Sequence, residues 1–433
     1  MNTAPLDIWL KDRMGLVDVE HVPTREQLRQ WQLERLVDVV EHARKHSPFY
    51  ADHLGNIDPS SISSFEDFAQ IPCLTQDILR NEPERLLCVP QESAGSLVTL
   101  SSSGTTGMPK HTFHTAEDMQ ATIDYFTWTM SRLVAEGEVA FVLMPEDGPS
   151  NVGRLLKEAL ARFGAQVVTH GILEDVDAAI DHCLETKATC IVGTPAHLNV
   201  MSMGWEQRGL IPHHINSVLL CWDTVPGPVV HRVERVLGCS VYRHWGMVET
   251  GLGGAVECEP HSGMHLRETD VFVEIVRVGT CTPCPDGEFG EIVITTPMRR
   301  GMPLIRYRTG DMGRIIPGEC FCGSPLRRLD TQIRRMTDTV DLAGVNLSLF
   351  DLNEALYAVE GLADFSVEYS RNTLRIFACG LGHDLSEYIR NALLRETQVG
   401  KAHAEGAVNL EIVVRQGCAT VGEGLGKRRI RTE

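Results

Sequence analysis

Long apolar runs are missing from this chain. None approaches the roughly 20 residues that span a bilayer, and the opening Met1-Asn-Thr-Ala-Pro-Leu-Asp7 lacks the charged-then-apolar pattern of a secretory signal, so a cytoplasmic location is expected. Basic residues are scarce beside acidic ones, 40 against 58, leaving a formal charge of −18. Such a surface repels nucleic acid and anionic membranes outside a local basic patch, and neither is expected as a partner. Internal repeats and low-complexity tracts are absent. So is the Gly-x4-Gly-Lys-Ser/Thr loop, which makes a GTPase or simple ATPase reading poor. The 13 cysteines are an odd number scattered through a long chain, which fits reduced thiols and a metal site better than a disulfide framework.

What is present is material for two or more domains: 433 residues, 43% apolar and 23% charged, the balance of a soluble globular protein. The most informative stretch is Leu100-Ser-Ser-Ser-Gly-Thr-Thr-Gly-Met-Pro-Lys110. A strand-like run, Leu97 to Leu100, leads into it. Gly104 and Gly107 free the backbone to turn N–H groups toward an anion, Ser102, Ser103, Thr105 and Thr106 add hydroxyl donors, and Lys110 adds a point charge. A phosphate cradle and an ordinary polar turn share this composition; the order of the residues favours the cradle.

Residues 25–46 carry Leu28, Trp31, Leu33, Leu36, Val37, Val40 and Ala43 at helical spacing, ending at Ser47-Pro48. Beyond the cradle, strands at Val139–Met144, Gln166–Thr169, Ala188–Val192 and Val218–Cys221 alternate with helices. That rhythm predicts an α/β protein whose large N-terminal domain holds parallel-rich sheets covered by helices. Thr194-Pro195 and Trp222-Asp-Thr224 fall where strands end, positions near ligand in such folds, although each also reads as a simple turn. From about residue 336 a βαββαβ order predicts a small α+β domain, which sets the division at 1–335 and 336–433.

Further on, His244-Trp-Gly-Met-Val-Glu-Thr250 puts an aromatic face, a glycine and a carboxylate within reach of a base and a Mg²⁺ ion, a weak signal alone. Arg306-Tyr-Arg-Thr-Gly-Asp311 ends in a carboxylate that can accept from ribose hydroxyls, or is a salt-bridged turn. Cys258-Glu-Pro-His261-Ser-Gly-Met-His265 and Cys320-Phe-Cys322-Gly323 offer thiolates and imidazoles for tetrahedral zinc, against the alternative of buried free cysteines. The last ten residues, Gly424-Leu-Gly-Lys427-Arg-Arg-Ile-Arg-Thr-Glu433, deliver a lysine from a flexible approach, or form a solvated basic tail.

These stretches together resemble the adenylate-forming superfamily of acyl- and aryl-CoA synthetases. Gln32-Leu-Glu-Arg-Leu36, Pro48-Phe-Tyr50, Ile71-Pro72 and Leu74-Thr-Gln-Asp77 are similar to the opening of its phenylacetate-CoA ligase branch. The resemblance implies that residues 102–107 and Lys110 bind ATP phosphates, that Trp245 stacks on adenine with Gly246 as spacer, and that Glu249 holds magnesium. It further implies that Asp311 binds ribose, that Arg335 belongs to the nucleotide site, and that Lys427 stabilises the reacting carboxylate and α-phosphate. Arg308 is implied as a structural or phosphate-side residue.

It also implies a mobile cap domain and structural zinc on Cys258, His265, Cys320 and Cys322. His261 is the rival imidazole, and Cys281-Thr-Pro-Cys284 is left without metal. The implied activity joins a small-molecule carboxylic acid to CoA with ATP, with a homodimer as a family-level expectation. Two departures, Thr337 at the hinge carboxylate position and Trp222-Asp-Thr in place of a glycine-rich turn, keep two alternatives open. One is an adenylylating synthetase that transfers AMP without CoA, of the deazaflavin type. The other is a degenerate nucleotide-binding protein.

Overall fold

Thr24 starts the first long helix. Its hydroxyl accepts from the Gln27 N–H at 3.2 Å, and the Gln27 side chain accepts from the Thr24 N–H at 2.8 Å, a reciprocal cap on helix Arg25–His46. Leu28, Leu36, Val40 and Ala43 face the core as their spacing predicts, while Trp31 and Leu33 are only half-buried. Gln32 is buried instead, its amide N–H donating to the Glu268 carbonyl at 2.8 Å. Ser47 ends this helix and caps the next, Pro48–His53. The computed structural model describes residues 5–16, 21–55, 57–89, 97–101, 108–146, 152–211, 214–342, 344, 346–395, 397–420 and 427–432.

The chain divides into two compact units. The first comprises Met1–Arg132, Asp147–Phe163 and His244–Gln332. In it a hairpin pairs Val98–Ser101 with His111–His114, and helix Ala116–Met130 follows, capped by Thr115 with Asp118. An antiparallel sheet runs Phe272–Val276, Gly290–Thr295, Tyr307–Gly313, with a register shift between Glu291 and Val293. A second antiparallel set pairs His244 and Trp245 with Ala255–Glu257, then Met264–Leu266, Arg328–Leu329 and Ile315–Ile316.

The second unit comprises Leu133–Glu146, Gly164–Arg243 and Ile333–Glu433. Its parallel strands lie in the order Gln166–Thr169, Val139–Val142, Cys190–Gly193, Ser217–Leu220 and then the strand starting at Ser240. Cys190–Gly193 and Ser217–Leu220 are buried throughout, the continuous apolar pattern of strands covered on both faces. Helix Pro195–Gln207 is capped by Thr194, whose hydroxyl accepts from the His197 N–H at 3.2 Å.

The C-terminal part of this unit is a mixed sheet ordered Asn409–Gln416, Thr373–Gly380, Leu362–Ser370, Ile430–Thr432. Three details differ from the sequence reading. Thr339–Asp341 pairs with Asn346–Ser348 in a separate ribbon, a second helix Thr397–Ala404 follows Leu385–Arg395, and the chain's last strand joins the sheet. One apolar cluster runs from Phe141, Ile191 and Val218 through Val229 and Val233 to Leu352, Phe365 and Ile430. Each such side chain contributes on the order of 1.5–3 kcal/mol when fully buried, which is why residues after 333 group with the parallel sheet.

The expectation of reduced thiols rather than a disulfide framework meets one exception. Cys73 and Cys281 form a disulfide with Cα atoms 6.1 Å apart, and the other cysteines are free. The turn of 277–284 brings Cys281 beside the Ile71–Leu74 segment, a proximity that spacing across 208 residues does not reveal. Among the described residues no helix is long and apolar enough to cross a membrane.

Candidate active site

The hairpin Val98–Ser101/His111–His114 fixes both ends of the hydroxyl-rich loop. Ser102, Ser103, Gly104, Thr105, Thr106 and Gly107 lie outside the described residues, and Lys110 stands at the loop's far end. Its ammonium meets Glu249 Oε1 at 2.5 Å. The same oxygen accepts from the Tyr307 phenol at 2.8 Å, and the ammonium approaches that phenol oxygen at 3.4 Å. Glu249 is 1% exposed. Burial alone pushes its carboxyl up, but the charge and hydrogen bond of Lys110 and the Tyr307 donor outweigh it and hold the group below the usual range. Tyr307 is driven the other way, by burial and by the Glu249 charge, and stays a protonated donor.

Glu249 sits in a short 3-10 turn, Val248–Thr250, closed by Gly251 at φ 69°. Thr122 braces the turn by donating to the Gly251 carbonyl at 3.1 Å. Just upstream, Gly246 has no room for a side chain: a Cβ there would lie 2.6 Å from the Leu252 carbonyl oxygen. The Trp245 indole is 6% exposed, packs on Gly254, and donates from Nε1 to Asp311 Oδ2 at 3.0 Å. Asp311 lies with Tyr307 on strand Tyr307–Gly313, so one strand supplies a contact to each half of the Trp245-to-Glu249 stretch.

The remaining arginines of that motif have structural partners. Arg306, fully buried at φ 47°, is paired with Glu274 at 2.9 and 3.1 Å and donates to the carbonyls of Ile71 at 2.6 Å and Cys281 at 2.8 Å. Arg308 is held by Glu291 and the Thr280 carbonyl. Tyr307 is the residue the sequence reading quoted without assigning a role. Its position between two arginines on an alternating strand was the available signal.

Cys258, His265, Cys320 and Cys322 come together with all four ligand atoms within 4.8 Å of one another. Cys258 and Cys320 Sγ are 3.6 Å apart and Cys322 Sγ is 3.2 Å from His265 Nε2, separations compatible with a tetrahedral ion bound at about 2.0–2.3 Å. His265 Nδ1 lies 3.1 Å from the Leu326 carbonyl, which orients Nε2 toward the thiols as a metal-binding histidine requires. Hydrogen bonds from Cys258 and His265 hold Cys322 below the ordinary thiol range against the effect of burial. His261 is elsewhere, 3.6 Å from the Glu257 carboxylate. Cys281 is taken by Cys73, and Cys284 stands apart from the cluster.

Arg335 and Lys427 belong to the second unit. There the turn after strand Ser217–Leu220 places Trp222 at φ 78° and Asp223 beside the chain's end: Asp223 Oδ2 accepts from the Arg428 backbone N–H at 3.1 Å.

A family model described as AMP-binding enzyme matches residues 32–301. The phenylacetate-coenzyme A ligase of Pseudomonas putida is 27% identical over 374 residues, covering 83% of this chain and 82% of that one. The enzyme of the same name from Escherichia coli (strain K12) is 28% identical over 364 residues, covering 80% of each. Among solved structures, 2-hydroxyisobutyryl-CoA ligase in the postadenylation state with its acyl-AMP aligns with TM-score 0.79 at 20% identity, over 95% of this chain and 90% of that one. The same enzyme with acyl-AMP and CoA in the thioesterification state aligns at 0.67 and 21% identity over the same shares.

Proposed function

This chain belongs to the AMP-binding enzyme family, and from that premise we propose that it is an AMP-forming ligase joining a carboxylic acid to CoA. Phenylacetate-coenzyme A ligases that align over about four-fifths of their own length support this reading. The observation that carries it is the arrangement of Lys110, Glu249 and Tyr307, which keeps a buried carboxylate ionised beside the lysine that ends the hydroxyl-rich motif.

The first step is attack of a carboxylate oxygen on the α-phosphorus of ATP. The bond from that phosphorus to the bridging oxygen breaks, and pyrophosphate leaves with the electron pair. The protein's work here is positioning and charge neutralisation. Loop residues 102–107 and Lys110 bind phosphate oxygens, Trp245 and Gly246 seat the adenine, Asp311 takes the ribose, Arg335 contributes at the nucleotide, and Lys427 meets the carboxylate and α-phosphate. Glu249 is the residue that would hold Mg²⁺; an ionised carboxylate already matched with one cation suits a hard, oxygen-seeking ion. That ion, when bound, neutralises charge on the phosphates. In the second step the thiol of CoA attacks the acyl carbon, AMP leaves, and the thiol proton passes to solvent.

Zinc on Cys258, His265, Cys320 and Cys322 is structural in this reading, since four protein ligands leave no open position. The functional division stays after residue 335, with 336–433 as the mobile cap.

The test is acid-dependent exchange of pyrophosphate into ATP across a panel of aryl and aliphatic acids, followed by addition of CoA. Exchange with one acid class and a CoA thioester as product is expected. Exchange that leads to a stable adenylylated product and no thioester would instead make this an AMP-transferring synthetase. Nucleotide binding with no exchange for any acid would remove the enzyme reading.

A further inference from the structure

Lys427 follows a stretch rich in glycine, Gly422, Gly424 and Gly426. On its other side the chain is tied down at once. The guanidinium of Arg428 is ion-paired with Asp364 and donates to Asn353 Oδ1 at 3.3 Å. Its carbon sits 4.5 Å from the Phe365 ring centroid and 5.1 Å from that of Tyr357. The Tyr357 phenol donates to the same Asp364 oxygen at 2.9 Å. Two residues on, Ile430 begins a parallel pairing with Val367. The Arg428 side chain is only 13% exposed, and a solvated basic tail has no reason to withdraw an arginine from water, because desolvating a guanidinium is costly unless it gains a partner and stacking faces.

The backbone of Arg428 is also held. Its N–H donates to Asp223 Oδ2 at 3.1 Å, while Asp223 Oδ1 accepts from the Thr224 N–H at 2.9 Å, so both carboxylate oxygens are engaged and the side chain is oriented. Asp223 stands at the carboxyl end of Ser217–Leu220, an inner strand of the parallel set, the end where open α/β sheets bind their ligands. The Arg428 N–H is the peptide group joining it to Lys427.

We propose that Asp223 and Arg428 are positioning residues for acid adenylation: Asp223 holds the Lys427–Arg428 peptide at the carboxyl end of the sheet, and Arg428, locked against Asp364, prevents the tail from sliding. This rests on the reading of Lys427 as the lysine of the first step. The four-carbon stem of a lysine leaves its ammonium loosely placed unless its Cα is fixed, and a misplacement of about 1 Å at a reacting centre costs on the order of 100-fold in rate. Neither residue touches substrate in this account, and neither has work to do in the second step.

The experiment uses the full chain and two assays. One is pyrophosphate exchange with an acid that supports it, phenylacetate being the first probe. The other is thioester formation from the prepared acyl-adenylate and CoA. Asp223→Ala is expected to lower the exchange kcat about 10- to 100-fold, with the KM for ATP nearly unchanged and thioester formation from the adenylate preserved. Asp223→Asn, which keeps an oxygen to accept from the peptide, recovers most of the loss. Arg428→Ala follows Asp223→Ala if it folds, and Arg428→Lys, which lacks the planar fork, recovers little.

Lys427→Ala serves as the reference. If it abolishes exchange while Asp223→Ala leaves exchange intact, the positioning role is wrong and the reading of Lys427 stands. If Lys427→Ala itself leaves exchange intact, that reading fails and the proposal with it. Equal loss in both assays, together with a lowered melting temperature, would reduce Asp223 to a structural residue and overturn the proposal.

Discussion

The ammonium of Lys110 and the carboxylate of Glu249 are 2.5 Å apart, with side chains 15% and 1% exposed. A loop-end lysine and a carboxylate on a turn well over a hundred residues later thus form a nearly dry ion pair.

Replacing Lys110 by methionine leaves a buried carboxylate without its cation, and loss of one partner of such a pair costs about 3–5 kcal/mol. Denaturant unfolding checks this. The pH dependence gives a second readout. The folded carboxyl of Glu249 is depressed, so its contribution is complete above the ordinary carboxylate range and is lost as pH falls through the depressed value. Without Lys110 burial is opposed only by the Tyr307 donor and a backbone hydrogen bond, and the acid limb of the exchange profile moves to higher pH. A limb that stays in place shows that Lys110 does not control this ionisation.

Tyr307→Phe removes one donor from Glu249 and keeps the ring. The expected cost is about 1.5–3 kcal/mol in stability, the range for a hydrogen bond to a charged group. Exchange should fall with a higher magnesium requirement, read by titrating the metal at fixed ATP. An unchanged metal requirement places the phenol outside the site.

Trp245→Phe retains an aromatic face but loses the N–H that holds Asp311 Oδ2. If that contact aims the carboxylate at ribose, the KM for ATP rises about tenfold, equivalent to 1.4 kcal/mol, and the preference for ATP over its 2′- and 3′-deoxy forms shrinks. A higher KM with ribose preference intact would assign Trp245 to base stacking alone.

Removal of metal by a chelator, or Cys322→Ser, should release about one zinc per chain, as four protein ligands imply. The melting temperature should drop, with the kcat of the remaining folded enzyme little changed. Protein purified with no zinc and the same melting behaviour would make the cluster four ordinary reduced side chains.

Much of this was legible in the linear chain. Local chemistry made it so. The cap at Thr24, the breaks at Ser47-Pro48 and the buried runs at Cys190–Gly193 and Ser217–Leu220 depend on neighbours in sequence, so spacing and turn residues are enough to find them. The Cys/His cluster was legible for another reason: cysteine and histidine in short knuckles have few alternative uses, and His265, preferred over His261, stands in the cluster on the strand Met264–Leu266.

The residues that sequence patterns misplace are those whose partners are distant. Gln32 lies at a helix position that reads as surface, and it is buried, its amide N–H meeting the carbonyl of Glu268. Cys73 finds Cys281, and Tyr307 finds Glu249, only when strands set their registers.

By itself the sequence determined the element types and the inventory of charged, hydroxyl, thiol and imidazole groups, since these follow from residue identity and short-range spacing. Tertiary structure alone decided which groups share a proton or a charge. Glu249 is ionised in a buried place because Lys110 is there, and Arg428 is largely withdrawn from solvent because Asp364 and two rings receive it. The physical reason is that electrostatic energy depends on distance and burial through space, and both are set by packing rather than by position along the chain.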